Sequence, residues 1–213
     1  MACLHLLRED LACAIYVDTG YTYRETQRLV DYAATMVPMY VVHSDRAGQN
    51  ERDGIPADIV PLDWTVLGQQ MTSPKPVTIQ SYLGCCWANI AAPLFEQAKT
   101  LGVTELVYGQ RNQETHKSPA RHGTLVCGIT RLHPIEDWTD QQVMDFLKTK
   151  MEIPAHYAIR HSSLDCYDCP AFHHESSDRV AWTKEHYPKF YDAYRVRKLA
   201  IESALVEAYR GLS

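Results

Sequence analysis

Cysteines are the residues of this chain whose type and spacing point most directly to chemistry. The sequence contains seven of them, at positions 3, 13, 85, 86, 127, 166 and 169. Cys85 and Cys86 are adjacent, and Cys166 and Cys169 form a CxxC pair. Thiolates are soft ligands, and a CxxC turn brings two sulfurs to one side of a metal centre. The two pairs therefore suit an iron-sulfur cluster, half of a zinc site each, or two sets of plain buried cysteines.

Composition limits the class of protein that carries these cysteines. The chain has 213 residues, of which 46% are hydrophobic and 22% are charged, and its net charge is -5. These values favour a globular protein with one good core and argue against a protein that mainly coats nucleic acid. No apolar run approaches the roughly 18 residues of a membrane helix, and no secretory signal is evident. We therefore expect a cytoplasmic protein without a membrane contact, in which clustered cysteines bind metal rather than form disulfides.

Short apolar strands alternate with helical patterns along the chain. Strands are predicted at residues 13–17, 39–42, 105–108 and 125–132. Helices are predicted at residues 1–10, 22–34, 87–100, 139–148 and 187–209, with Thr139 as an N-cap. Residues 46–58 are predicted to be a polar loop, and residues 63–80 to be irregular. The alternation predicts an α/β fold, a parallel twisted sheet with helices on both faces and a C-terminal helical tail.

Two short segments are expected at the ligand-facing edge of that sheet, because ligands of such folds lie beyond the carboxyl ends of the strands. Asp18-Thr19-Gly20 follows the first predicted strand, and Gly109-Gln110-Arg111 follows the third. Asp18 suits Mg²⁺ or a ribose hydroxyl, and equally a turn. Cys3, Cys13 and Cys127 lie in apolar stretches and are predicted to be core residues. The histidines His116, His173 and His174 lie in polar segments, where solvated side chains are commoner than ligands.

The order of these motifs resembles one protein family along residues 1–185. The doublet, the CxxC pair and the 79 residues between them, 87–165, resemble the cluster motif of the iron-sulfur adenylyl-sulfate (APS) and phosphoadenylyl-sulfate (PAPS) reductases. Val17-Asp18-Thr19-Gly20 resembles the LDTG element of that family, and Gly109-Gln110-Arg111 resembles its GxR. Further matching segments are Glu25-Thr26, Pro93-Leu94 and Pro134-Ile135-Glu136-Asp137-Trp138-Thr139. The family belongs to the adenine nucleotide alpha-hydrolase-like (PP-loop) superfamily.

The resemblance implies a cofactor, a substrate class and a reaction in sulfate assimilation. The cofactor would be a [4Fe-4S] cluster with the ligands Cys85, Cys86, Cys166 and Cys169. The partners would be an adenine nucleotide (APS, PAPS or ATP) and a thiol donor such as thioredoxin, and the product would be sulfite. The nucleotide contacts would come from Asp18, Thr19, Gly20, Gly109, Arg111 and Lys117. The nucleotide-binding domain would span residues 1–185, and a helical tail would span residues 186–213.

The sequence also departs from this family. It has neither the first strand nor the SGGKDS-like phosphate loop, and no cysteine follows Cys169, where the family's nucleophile stands, so the catalytic residue is left unassigned. Neutral residues replace cations of the family at Asn89, Ile90, Asn112 and Ala171, leaving Arg111, Lys117 and Arg179. These departures keep two alternatives open. One is a PP-loop ATP pyrophosphatase that adenylates a substrate for sulfur transfer, for instance a nucleic acid, and the other is a truncated, non-catalytic nucleotide-binding protein.

Overall fold

The computed structural model describes residues 1–72, 77–114, 117–158, 164, 166–172 and 177–210. The chain divides into two compact units. The first unit consists of Met1–Tyr16, Gln27–Val42 and Leu94–Ala158. The second consists of the described residues of Val17–Thr26, His43–Pro93 and Ile159–Ser213. Among the described residues, every helix is too short or too polar to cross a membrane.

Strands and helices alternate along most of the chain. The strands are β1 (Ala14–Asp18), β2 (Met39–His43), β3 (Ile55–Ala57), β4 (Ile79–Ser81), β5 (Glu105–Val107), β6 (Leu125–Val126) and β7 (Ile129–Leu132). The helices are α1 (Ala2–Leu6), α2 (Arg24–Ala34), α3 (Arg46–Asp53), α4 (Val66–Met71), α5 (Tyr82–Cys86), α6 (Ala92–Thr100), α7 (Asp140–Lys148), α8 (Ser177–His186) and α9 (Pro188–Arg210). Strand β1 pairs with β2. Parallel strand pairs flanked by helices confirm the predicted α/β class.

The first unit is built around the sheet of β5, β7 and β6. Strands β5 and β7 are parallel, with Glu105 opposite Thr130. Helix α6 covers this sheet, and its Phe95 and Ala98 are buried against Ile129 of β7. Helix α7 begins where predicted, because the Thr139 side chain accepts a hydrogen bond from the Gln142 backbone N–H and the Gln142 side chain bonds back to Thr139. This reciprocal cap satisfies two of the free N–H groups at the helix start.

The predicted single strand at residues 125–132 is wrong. The segment is an antiparallel hairpin in which β6 and β7 are joined by Cys127 and Gly128. Both turn residues have positive φ, 54° and 81°, as a tight two-residue hairpin turn requires. Cys127 stands exposed at this turn, which corrects its predicted place in the core. Cys3 and Cys13 are only partly buried.

The second unit has the parallel pair β3 and β4 at its centre. Ile55 lies opposite Ile79, and the buried side chains of Ala57, Ile79 and Ala204 pack together. Gly54 precedes β3 with a φ of 95°, and a Cβ at this position would lie 2.8 Å from the backbone nitrogen of Ile79. A glycine is therefore required for β3 to approach β4 this closely. A second core joins Tyr23, Leu164 and Trp182.

The predictions for residues 46–58 and 63–80 are also wrong. Helix α3 and strand β3 occupy the first segment, and a 3₁₀ turn at Leu62–Trp64, helix α4 and strand β4 occupy most of the described part of the second. The buried face of α3 carries Arg46, Gln49 and Asn50 rather than apolar residues. Hydrophobic periodicity cannot detect such a helix, because the pattern that it seeks is the apolar face.

Two helical predictions need new boundaries. The helix predicted at residues 87–100 begins earlier, as α5, and continues through a π-helical turn at Trp87–Ala91 into α6. The helical tail is α9, and α8 precedes it in the same unit. The predicted domain boundary between residues 185 and 186 stays a prediction.

Candidate functional site

All four cysteines of the predicted motif belong to the second unit. Cys85 and Cys86 close helix α5, which Ser81 caps by accepting a hydrogen bond from the Leu83 backbone N–H. The CxxC pair forms a tight turn, in which the Cys169 N–H donates to the Cys166 carbonyl over 3.1 Å. A turn of this kind presents two thiols on one side, as a metal centre requires.

Amide side chains surround Cys85, which is 5% exposed. Its Sγ lies 3.4 Å from Asn50 Nδ2 and 3.6 Å from Asn89 Nδ2, so it accepts two N–H groups. Gln49 Oε1 in turn accepts from Asn50 and Asn89, over 2.7 and 3.0 Å. Gln80 completes this buried amide group through hydrogen bonds with Gln49. Donors that point at sulfur stabilise a thiolate more than a thiol.

The CxxC turn is held from two sides. Thr19 Oγ1, just after β1, lies 3.3 Å from Cys166 Sγ. Arg179 of α8, 5% exposed, donates to the carbonyl of Cys169 over 3.0 Å and to that of Cys166 over 3.4 Å. Burial raises the pKa of Cys169 to about 11, and the Ala171 backbone N–H and the charges of Arg179 and Arg46 offset part of the effect. Without metal this cysteine is therefore a neutral thiol at physiological pH.

Asp168, inside the CxxC turn, accepts from two arginines that are distant in the sequence. Arg46 Nη1 donates to its Oδ1 over 2.7 Å, and Arg197 Nη1 lies 3.4 Å from its Oδ2. The Arg46 guanidinium also stacks over the Tyr21 ring at 4.4 Å. Burial alone lowers the pKa of Arg46, but the charges of Cys166 and Asp168 raise it above its ordinary value, so Arg46 stays charged.

Arg197 joins the two cysteine pairs. Its Nη2 donates to Asn50 Oδ1, and the same Asn50 donates to Cys85. A continuous path therefore runs from Cys85 through Asn50 and Arg197 to Asp168, between Cys166 and Cys169. The site is assembled from α3, α5, α8, α9, the CxxC turn and the residue Thr19 after β1.

Among the described residues, the positive charge of this site exceeds its negative charge. Three arginines lie in it, Arg46, Arg179 and Arg197. Among the described residues, Arg46 and Arg197 contact one carboxylate, that of Asp168, and Arg179 donates to the backbone carbonyls of Cys166 and Cys169. The side chains of Arg46 and Asp168 are 2% and 4% exposed, and that of Arg197 is 18% exposed. Burying charge is costly unless an opposite charge compensates it. The site therefore suits an additional anionic group. Within the described part of the chain, no three His, Cys, Asp or Glu side chains are grouped closely enough to hold a metal ion, so the structure does not bring the two cysteine pairs together into one ligand set. The four-cysteine cluster site stays a prediction.

The strand-end residues Asp18, Thr19 and Gly20 also lie in the second unit. Asp18 Oδ1 accepts from the Gly20 N–H over 2.8 Å and from Thr22 Oγ1 over 3.1 Å, and His43 Nδ1 lies 3.5 Å from its other oxygen. Asp18 thus forms the turn, one of the two roles predicted for it. Thr19 is buried and contacts Cys166, which links this turn to the cysteine site.

The other predicted nucleotide contacts, Gly109, Arg111 and Lys117, lie in the first unit after β5. Arg111 forms ion pairs with Glu114 and Asp140, at 3.3 and 2.6 Å. Lys117 donates to the Asn112 carbonyl. Gln110 closes the loop by exchanging two hydrogen bonds with the Ser118 backbone. The nucleotide contacts proposed for these residues stay predictions, and His116, His173 and His174 lie outside the described residues.

Sequence reasoning missed Arg46, Asn50, Asp168 and Arg197. One signal was available for Arg197, which falls on the same face of α9 as the buried Tyr194 and Ala204. A charged residue at a core position of a helix indicates a buried partner. Asn89 was noted only as a replacement for a cation, although it is 3% exposed and donates to Cys85.

The protein is an α/β protein whose second unit contains both cysteine pairs and three buried or partly buried arginines. Residues 1–172 match the model of the phosphoadenosine phosphosulfate reductase domain, so the chain belongs to that family.

One relative and one solved structure illustrate the similarity. The phosphoadenosine 5'-phosphosulfate reductase of Alkalilimnicola ehrlichii is 28% identical over 143 residues, which is 67% of this chain and 52% of the relative. The chain thus spans about half the length of that curated relative. The crystal structure of PAPS reductase from Candida auris in a phosphate complex aligns with a TM-score of 0.49 and 15% identity, over 78% of this chain and 74% of the other.

Proposed function

We propose that this chain is a [4Fe-4S] protein that binds an adenylyl sulfonucleotide, APS or PAPS, and reduces it to sulfite with a thiol donor. Membership of the PAPS reductase domain family supports the substrate class. The observation that carries the proposal is that, among the described residues, buried positive charge exceeds negative charge around the two cysteine pairs. Such an excess fits a site for an anionic cofactor and for an anionic substrate.

The thiol side chains of the site are of the type that a [4Fe-4S] cluster uses as ligands. Cys85, Cys86, Cys166 and Cys169 supply four soft thiols within one unit, and the amides of Asn50 and Asn89 direct N–H groups at one of them. A [4Fe-4S] centre with four thiolates carries net negative charge, which the buried arginines would compensate. Bound there, it would supply a negatively charged centre whose reduction potential depends on the hydrogen bonds to its sulfurs.

The proposed reaction requires two thiols. A thiolate of the donor attacks the sulfonate sulfur, the bond from that sulfur to the phosphate oxygen breaks, and AMP (from APS) or adenosine 3',5'-bisphosphate (from PAPS) leaves. A second thiolate then attacks the donor sulfur of the resulting thiosulfonate, forming a disulfide and releasing sulfite. The sulfonate sulfur is reduced by two electrons, and the two thiols are oxidised. The residues of this chain would bind the nucleotide and hold its sulfonate in place for the attack.

Iron-sulfur reconstitution tests the cofactor. After anaerobic incubation with iron and sulfide, we expect about four irons per chain and broad absorbance near 400 nm, as for [4Fe-4S] proteins in general. Cys85→Ser and Cys169→Ser should lose most of this iron. Cys127→Ser is the matched control, because Cys127 is exposed and belongs to the first unit. Stoichiometric zinc without colour in the wild-type protein would overturn the cluster.

A product assay tests the reaction. The reconstituted protein, mixed with APS or PAPS and a dithiol or reduced thioredoxin, should release sulfite in proportion to the disulfide formed. Incubation with ATP provides the contrasting arm. AMP and pyrophosphate from ATP, without sulfite from either sulfonucleotide, would overturn reduction in favour of an adenylating sulfurtransferase. Binding without any turnover would favour a nucleotide-binding protein.

A further inference from the structure

Helix α9 lies beyond residues 1–172, the part of the chain that matches the family model, yet it contributes to the cysteine site. It is anchored in the second unit by Ala204, which packs on Ala57 and Ile79 of the central strands. Arg197 lies seven residues before Ala204, two helical turns away on the same face. The packing of α9 on β3 and β4 therefore fixes where Arg197 enters the site.

The guanidinium of Arg197 uses two different nitrogens on two different partners. Nη1 contacts Asp168 in the CxxC turn, and Nη2 donates to Asn50 of α3. The planar fork of arginine holds two such partners in fixed directions, whereas the single ammonium of lysine acts as a point charge. Simultaneous contact with Asp168 and Asn50 therefore requires an arginine and not merely a positive charge at position 197.

The contact with Asn50 determines which end of its amide faces Cys85. Because Asn50 Oδ1 accepts from Arg197, Nδ2 is the end that points at Cys85 Sγ and at Gln49. Without Arg197, this orientation depends on the hydrogen bond from Nδ2 to Gln49 Oε1. An amide that turned over would direct an acceptor rather than a donor at the sulfur. One side chain therefore acts on the Cys85 pair through Asn50 and on the CxxC pair through Asp168.

We propose that Arg197 is a positioning residue through which helix α9 holds both cysteine pairs in place for the metal centre. The measurement of iron retention that tests this inference rests on the proposed cluster function. Removing the fork would loosen the end of α5 and the CxxC turn together. A side chain that holds metal ligands in place through hydrogen bonds is worth about 10- to 100-fold in metal affinity.

The test compares three variants. Arg197→Met removes the fork but keeps much of the side-chain length, and Arg197→Lys keeps the charge. Arg195→Met is the matched control, because Arg195 is two residues away on the same helix, 57% exposed, and pairs only with the surface residue Asp192 at 3.9 Å among the described residues. Circular dichroism and thermal unfolding establish that each variant is folded.

The first measurement needs no metal. In the metal-free protein, we expect Arg197→Met to increase deuterium exchange in peptides covering both residues 82–93 and residues 164–172, and Arg195→Met to change neither. If exchange rises in neither segment or in only one, the inference is overturned, whatever the metal results are. If Arg197→Met does not fold, the double-mutant cycle of Asn50→Ala with Arg197→Lys takes its place. Non-additive exchange at residues 82–93 then supports the inference, and additive exchange overturns it.

The second measurement uses the reconstituted cluster. In the presence of a chelator, Arg197→Met should shorten the half-life of bound iron about 10-fold or more. Arg197→Lys should give an intermediate half-life, and Arg195→Met should match the wild type. Equal iron retention in Arg197→Met and the wild type would overturn the inference while leaving the cluster in place. The wild-type protein could also take up no cluster while Arg197→Met increases exchange in both residues 82–93 and residues 164–172. In that case the proposed function fails and the positioning role of Arg197 is supported.

Discussion

Each of the two units buries an arginine against aromatic rings, but the surroundings of the two cations differ. In the first unit, Arg131 lies 4.9 Å from the Tyr108 ring and 5.2 Å from the Phe95 ring, and its Nη1 donates to Ser118 Oγ over 2.7 Å. In the second unit, Arg46 stacks on Tyr21 but also pairs with Asp168, beside two cysteines. Arg131 is thus held by rings and a neutral hydroxyl, and Arg46 by a carboxylate.

The different partners of the two arginines indicate different roles: Arg131 is a structural cation, and Arg46 belongs to the cysteine site. Rings and a hydroxyl partly compensate a single charge, and Arg131 connects α6, β5 and the loop that carries Ser118. The second unit concentrates three arginines on one turn that also presents thiols. Buried charge that exceeds what a fold needs for its own packing indicates a ligand. The following experiments test this distinction.

Asp168→Asn should have the largest effect on the free energy of unfolding. It leaves Arg46 and Arg197 without their carboxylate, and removing one partner of a buried ion pair costs about 3–5 kcal/mol. Urea unfolding of the metal-free protein measures the loss. Asp192→Asn is the control, because Asp192 is 70% exposed and pairs with Arg195 at the surface, where the expected change is below about 0.5 kcal/mol. Equal losses in the two variants would remove the basis for treating Asp168 as the centre of a charged site.

Arg131→Met should lower the stability by a smaller amount, about 1–3 kcal/mol, because it removes the ring contacts and the hydrogen bond to Ser118. Retention of reconstituted iron separates Arg131→Met from Arg46→Met better than the free energy of unfolding does. We expect Arg131→Met to retain reconstituted iron at the wild-type level and Arg46→Met to lose it. Iron loss in both variants would show that the two cations do not differ in role.

Thr139→Ala should cost about 1 kcal/mol, the usual worth of a helix N-cap. Deuterium exchange should increase across α7 in the first unit, where Thr139 caps the helix. Peptides of the cysteine site should exchange as in the wild type. Thr139→Ser, which keeps the hydroxyl, is the matched control and should restore protection.

The smallest effect should be a change in the pH dependence of stability caused by His133. Burial lowers the pKa of His133, and the charge of Glu136 offsets only part of this effect. A lowered folded-state pKa means that the unfolded chain binds the proton more readily. The stability due to neutral His133 is therefore complete above the ordinary histidine pKa of about 6.5 and is lost as the pH falls through the lowered value. His133→Gln should flatten the unfolding free energy over this acidic range, whereas Thr139→Ala should shift it without changing its slope.

Much of the fold could be predicted from local patterns. Strands β1, β2 and β5, the Thr139 cap and the tail helix follow from apolar runs, capping residues and helical periodicity. Helix α3 could not be predicted in this way, because it buries Arg46, Gln49 and Asn50 instead of an apolar face. The hairpin at Cys127 was missed because a cysteine at positive φ gives no turn signal of its own, and Gly128 alone was not enough.

By itself, the sequence determined the family and the cysteine motif, since both depend on residue identity and order along the chain. Only the tertiary structure decided what surrounds the cysteines. Asn50, Asp168 and Arg197 are separated by 118 and 29 residues, counting 168 − 50 and 197 − 168, yet they form one path of contacts. Polar residues come together in this way because each buried charge and amide must find a partner, and the partner's place in the sequence does not matter. The excess positive charge found among the described residues of the site is a property of that assembly and not of any one segment.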